Sequence, residues 1–315
     1  MRQQERPREK PIRVLFFYDV EGWAWWNKIR HIRRHLPARF SVDMQRIGTP
    51  FDHGRYDFIV IFEHFFLRHM TGVPRAKIVM GSCCPRTLDG LRTALPGSGV
   101  AAAVLNNLPG YRAVKDVYRS YYCPNGVDAA LFAPAPRPVE DFSVCWVGNA
   151  ASMGNKGLDL IVAACDRAGV PLCALDQQQK IAQGTVMGQE ALRDTLYHRA
   201  AAYVCASEME GTPNPCLEAM ACGLPVVTTR VGNMPEAVRD GVNGLFVERS
   251  VESLTAALRR LRDMDWRAMG RSARAGILEG WTWTHMAARY ERMFCDLADG
   301  RADVPEASDA LTRPA

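Results

Sequence analysis

A chain of 315 residues with 48% hydrophobic and 23% charged side chains has the composition of a soluble globular protein, long enough for two domains that each bury a core. Its net charge of +5 is modest and concentrated in Arg2–Lys10 and Lys28–Arg39, which does not point to a nucleic-acid partner. The 10 cysteines are scattered, with no Cys-x-x-Cys and no His/Cys cluster at zinc-ligand spacing, so buried reduced thiols are expected and no structural metal.

Residues Met1–Arg13 are charged where a signal peptide would be apolar, and no apolar run approaches the roughly 20 residues that span a bilayer. A disordered basic arm over 1–10 and a cytoplasmic location are expected. Ile12–Tyr18 then reads as a β-strand ending at Asp19, followed by a glycine turn at Gly22 and a helix over Trp23–Leu36. Further strands are expected at Phe40–Met44, Phe58–Phe62, Lys77–Met80, Ala102–Leu105 and Ser120–Cys123, with helices or loops between them. This alternation predicts a parallel, doubly wound sheet over 11–134.

The run Ala133-Pro134-Ala135-Pro136-Arg137-Pro138 breaks the periodicity as an interdomain linker would. A second series follows over 139–283, with strands at Ser143–Val147, Pro171–Leu175, Ala202–Cys205, Val226–Thr228 and Leu245–Val247. Two such sheets facing each other place ligands in the cleft at the carboxyl ends of their strands. Beyond Val251 the pattern is helical to about Ala298, and 300–315 reads as a disordered tail.

The chemistry concentrates in Ser207–Pro225. Asn214 suits an N-cap, Pro215 a first helical position, and Gly223 with Pro225 ends the helix, leaving about two turns. The free N–H groups at the start of this helix suit a diphosphate, and Glu210 and Glu218 can both face the space beyond it. Taken singly, Glu218 could equally stabilise the helix dipole and Glu210 be a solvated loop residue.

The whole string resembles the signature of glycosyltransferase family 4, a pair of glutamates separated by seven residues and followed by Ala219-Met220-Ala221-Cys222-Gly223-Leu224-Pro225-Val226-Val227. The likeness runs on through Gly232-Asn233-Met234-Pro235-Glu236 and Gly241-Val242-Asn243-Gly244-Leu245. Weaker echoes are Pro124-Asn125-Gly126-Val127-Asp128, Val147-Gly148 with Lys156-Gly157, and Trp281–Tyr290. The resemblance implies an α/β protein of the GT-B type, two Rossmann-like domains across a cleft, with a last helix at about 284–298 packing back on the first domain.

It also implies a retaining glycosyltransferase that uses a nucleoside-diphosphate sugar as its donor; no cofactor is expected, and no metal is assigned from the residues. By that likeness Glu218 holds the donor ribose, Glu210 contacts the donor sugar and Lys156 neutralises the diphosphate. Gly211, Thr212, Pro213, Asn214, Cys216, Leu217, Gly148, Asn149, Met187 and Gly22 are expected to surround the donor. Two departures stand out. Asn149 occupies a position where many members have arginine, and Gly81-Ser82-Cys83-Cys84 replaces the stretch that carries the family's N-domain histidine. His64, just after the strand Phe58–Phe62, is a candidate substitute, although a lone histidine in an aromatic stretch is often a packing residue.

Asp263-Met264-Asp265 is read as a helix cap at Asp265 rather than a metal site. The helix over Trp23–Leu36 carries Trp25, Ile29, Ile32 and Leu36 on one face and Lys28, Arg30, His31, Arg34 and His35 on the other. That basic face is a route to a membrane surface or an anionic acceptor, or a solvated helix face. The acceptor class therefore stays open among glycan, lipid-linked and small-molecule hydroxyls. Rival readings are a same-fold nucleotide-sugar epimerase or phosphorylase, and a non-catalytic sugar-nucleotide-binding subunit.

Overall fold

The computed structural model describes residues 10–137, 139–150, 156–177 and 187–301. Of the arm expected over 1–10 and the tail expected over 300–315, residues 1–9 and 302–315 lie outside the described residues.

The first half builds six parallel strands: β1 (Ile12–Tyr18), β2 (Phe40–Arg46), β3 (Phe58–Ile61), β4 (Ile78–Ser82), β5 (Ala102–Leu105) and β6 (Ser120–Tyr122), in the order β2-β1-β3-β4-β5-β6. The short all-apolar runs of β3 and β5 are buried throughout, as expected of strands covered on both faces. Helix α1 (Ala24–His35) follows β1 across a turn in which Gly22 adopts φ +79°, a left-handed conformation glycine takes without strain. The helix stops at Leu36, whose ψ of 139° is the extended conformation favoured before Pro37. Ile29 and Ile32 are fully buried beneath it. Short helices α2 (Leu88–Ala94) and α3 (Leu108–Val114) complete the half, the latter capped by the Asn107 side chain, which accepts from the Gly110 amide at 2.8 Å.

The second half repeats the scheme with five parallel strands: β7 (Val144–Gly148), β8 (Leu172–Asp176), β9 (Ala202–Cys205), β10 (Val226–Thr228) and β11 (Gly244–Phe246), in the order β11-β10-β9-β7-β8. Helices α4 (Leu158–Ala168), α5 (Gln189–Thr195), α6 (Asn214–Ala221), α7 (Met234–Ala237), α8 (Val251–Asp263) and α9 (Trp266–Gly280) surround it. Asp265 caps α9 by accepting from the Ala268 amide at 2.9 Å. All 10 cysteines are free; Cys173 is exposed because β8 is the edge strand, while Cys145 and Cys205 on the inner strands are buried.

The last helix, α10 (Trp283–Ala298), leaves the second half and packs on α1. Its Phe294 ring lies 6.0 Å from Phe16 of β1 and 5.7 Å from Phe58 of β3, and Tyr290 lies 6.2 Å from Phe16. Each such aromatic pair contributes about 0.5–1.5 kcal/mol beyond area burial. The crossing is anchored where the Val127 amide donates to Trp281 O at 2.9 Å and the Trp283 amide to Val127 O at 3.3 Å. Among the described residues no helix is long and apolar enough to cross a membrane.

Candidate active site

In each sheet the strand order reverses direction at one point, between β1 and β3 in the first and between β7 and β9 in the second. Crevices outside the carboxyl ends of strands at such points are where open α/β sheets take ligands. Here the two crevices merge into one cavity of about 430 Å³ between the halves. The first half contributes the β1–α1 turn and one face of α1, and the second contributes the segments following β7 and β9 with the start of α6.

Glu210, on the loop after β9, is held twice. Lys156 Nζ donates to its Oε1 at 2.5 Å and Ser207 Oγ donates to the same atom at 2.8 Å. Glu218, on α6, accepts from the Tyr197 hydroxyl through Oε2 at 2.7 Å. Burial pushes its carboxyl up to about 7, against the stabilising effect of the Tyr197 hydrogen bond. The cavity thus holds one carboxylate already neutralised by a lysine and a second near its titration point at neutral pH. Beneath them Cys205 also reaches the wall, its thiol lowered to about 7 by hydrogen bonding with Cys216.

Gly22, Gly148, Asn149, Met187, Thr212, Pro213 and Asn214 all line the cavity with Lys156, Glu210 and Glu218. Gly211, Cys216 and Leu217 do not line it. Gly211 is buried in the seam between the halves, where an added Cβ would stand 1.8 Å from the Cys83 carbonyl oxygen. Cys216 and Leu217 turn into the core because they fall on the buried side of α6.

The α6 N-terminus also differs from expectation. Its cap is Pro213, and Asn214 is the first helical residue, with its Oδ1 accepting from Asn125 Nδ2 across the cleft at 2.9 Å. The Asn214 and Cys216 amides bond to Thr212 O and Pro213 O, and Pro215 has no N–H, so the expected row of free donors is largely used internally.

His64 is not brought to the cavity. Its ring packs on α2, where a Cβ at Gly90 would meet Nε2 at 2.4 Å, because β3 ends one residue before Phe62 and the chain turns away from the cleft. The histidine that does line the cavity is His31, stacked parallel on Trp283 with ring centroids 5.1 Å apart. Burial lowers it to about 4, so the ring is neutral at physiological pH.

The basic face of α1 is also revised. Lys28 is only 3% exposed and projects inward over Phe62 and Tyr290. Of the helix's outward cations, Arg34 pairs with Asp128 at 3.4 Å, and beyond the helix Arg39 pairs with Glu291. The acids absent from the helix's own sequence arrive from other parts of the chain.

A family model described as "Glycosyl transferases group 1" matches residues 141–263, the segment that holds Lys156, Glu210 and Glu218. This segment is a glycosyl transferases group 1 domain. The GDP-mannose-dependent alpha-(1-6)-phosphatidylinositol monomannoside mannosyltransferase of Mycolicibacterium smegmatis is 37% identical over 103 residues, 32% of this chain and 26% of that protein. The alpha-maltose-1-phosphate synthase of the same organism is 29% identical over 235 residues, 60% of this chain and 59% of that protein. The matches thus span less than two thirds of these curated relatives.

Among solved structures, sucrose-phosphate synthase of Thermosynechococcus elongatus superposes with a TM-score of 0.72 at 16% identity, over 91% of this chain and 99% of that one. HepE of Anabaena, solved in complex with UDP and glucose, superposes with a TM-score of 0.68 at 15% identity, over 90% and 100%. The glycosyl transferases group 1 domain and the sheet before it together form the GT-B fold.

Tyr197, Ser207, Lys28 and the His31–Trp283 pair are the site residues that the signature did not indicate. Tyr197 lies 21 residues before the glutamate it holds, and no local pattern ties the two. Ser207 was within reach, because a hydroxyl three residues before a loop carboxylate is a usual local partner.

Proposed function

We propose that the chain is a retaining glycosyltransferase that moves a sugar from a nucleoside-diphosphate sugar to a hydroxyl of a glycan, lipid-linked or small-molecule acceptor. The observation that carries this reading is the gathering of Lys156, Glu210 and Glu218 in one cavity at the carboxyl ends of both sheets, Glu210 held by Lys156 and Glu218 held from the core behind it by Tyr197. In support, the glycosyl transferases group 1 domain contains both pairs, one relative's name specifies GDP-mannose, and a structural neighbour was solved with UDP and glucose.

On this reading Glu218 accepts from the donor ribose. The arriving sugar takes over the lone pairs of Glu210, and the ammonium of Lys156 turns to the departing diphosphate. The acceptor attacks from the face the diphosphate leaves, so neither carboxylate acts as a covalent nucleophile. The chain's task is to stabilise charge on the leaving group while cleft closure excludes water. Asp265 is occupied as a cap, and the reaction is proposed to run without a divalent ion.

Thermal-shift titration with UDP-, GDP-, ADP- and dTDP-sugars tests the proposal, a preferred donor raising the unfolding temperature by mass action. Product analysis with that donor follows. Hydrolysis-free turnover in the absence of any acceptor would favour an epimerase, and binding without transfer to any acceptor a non-catalytic subunit.

A further inference from the structure

Ala24, Asn27, Lys28 and His31 stand at helical spacing on one face of α1, and all four line the cavity. Lys28 sits deepest. Its ammonium lies 4.6 Å from the ring centroid of Phe62 and 5.8 Å from that of Tyr290, and these faces are its partners; it makes no hydrogen bond or ion pair among the described residues. Cation–π contacts offset only a small part of the cost of removing an ammonium from water. Burial accordingly lowers its affinity for the proton, opposed in part by Cys83, Cys123 and Glu63 nearby. The other lysine of the lining, Lys156, is already committed to Glu210.

We propose that Lys28 is an anion-binding residue of the cavity, contributed by the first half and completed by a phosphate-type group of a bound ligand. That group is either the diphosphate of the donor or an anionic substituent on the acceptor. The proposal rests on the functional reading above for the identity of the ligand, and on the buried, unpaired ammonium for the site.

The test compares wild-type protein with Lys28→Met, which keeps the stem and removes the charge. Removing a desolvated charge should leave the unfolding temperature unchanged or raised, whereas loss of a structural contact would lower it. Lys28→Gln carries the same comparison if the methionine variant does not fold. Calorimetric titrations use UDP and GDP, then uridine and guanosine, then inorganic phosphate added to unliganded and to nucleoside-diphosphate-saturated protein.

A loss of roughly tenfold to a hundredfold in nucleoside-diphosphate affinity with nucleoside affinity intact places Lys28 on the donor diphosphate. Unchanged nucleoside-diphosphate affinity with loss of phosphate binding to the saturated protein places it on the acceptor's anion. Equal binding of all probes by folded variant and wild type overturns the proposal, as does an equal loss for nucleosides and their diphosphates. If wild-type protein binds no nucleotide at all, the functional reading fails, while the phosphate titration of unliganded protein still decides for or against Lys28.

Discussion

Lys156 Nζ and Glu210 Oε1 stand 2.5 Å apart at the mouth of the second sheet, so the cation proposed for the leaving group is held, before any donor arrives, by the carboxylate proposed for the sugar. The pair keeps both side chains oriented and lets each be released as the other gains a ligand. Lys156→Met should lower kcat by about 100-fold to 1000-fold, the range for losing one preorganised electrostatic contact, with little change in donor dissociation constant. Pre-steady-state transfer rates beside equilibrium titration check this, and an unchanged turnover number would remove Lys156 from the mechanism.

The two glutamates should fail differently. Glu218→Ala should weaken nucleoside diphosphate binding by about 1.5–3 kcal/mol, the contribution of a charge-assisted hydrogen bond. Glu210→Ala should leave that affinity nearly intact and impair transfer from the full nucleotide-sugar. Calorimetry with the nucleoside diphosphate, next to transfer rates, tells them apart; equal losses would mean the roles are wrongly divided.

Glu218 also gives a dependence on pH whose sign can be worked out. Its carboxyl titrates at about 7 in the folded chain against 4.5 ordinarily, so ionisation is disfavoured by folding. The resulting penalty is absent below about pH 4.5, grows as pH rises, and is complete above about pH 7, where it amounts to about 3 kcal/mol. Glu218→Gln should therefore raise the unfolding temperature at pH 8 and have little effect at pH 5. Nucleoside diphosphate affinity of the wild type should move the other way, strengthening from pH 6 to 8 as the carboxylate forms. Thermal denaturation and calorimetry across this range read both trends.

The halves meet at Gly211, where the Cys83 carbonyl leaves no room for a side chain. Gly211→Ala should let both sheets fold and force the cleft apart. A larger radius of gyration by small-angle scattering and at least roughly tenfold weaker donor binding are the expected results. Unaltered scattering with normal affinity would show that the seam yields locally instead.

The alternation of apolar runs and helical periods placed the eleven described strands within a residue or two; inner strands such as β3, β5 and β9, buried throughout, show as short all-apolar runs, while the half-exposed edge strand β8 was found from its place in the strand–helix alternation. The approach of Glu210 to Glu218 was legible for a different reason, as one loop and one short helix fix their spacing, whereas Lys156 lies 54 residues before Glu210 and was singled out by the likeness around Val147-Gly148 and Lys156-Gly157. What the sequence hid is long-range. Lys28 read as part of an exposed basic face because nothing local shows that Phe62 and Tyr290 close over it from 34 and 262 residues away. His64 read as a cleft residue because the direction of the chain after β3 is set by α2, and His31 was passed over because its stacking partner Trp283 belongs to the last helix.

That last helix also bears on how the protein is made. Tyr290 and Phe294 fill the core over β1 and β3, strands that leave the ribosome more than 200 residues before them. Through most of translation the first sheet must wait with an uncovered aromatic surface, while the second half can close around residues already synthesised. The amino-terminal half therefore completes its core only once α10 has been made, and until then Phe16 and Phe58 lack the cover that Tyr290 and Phe294 give them.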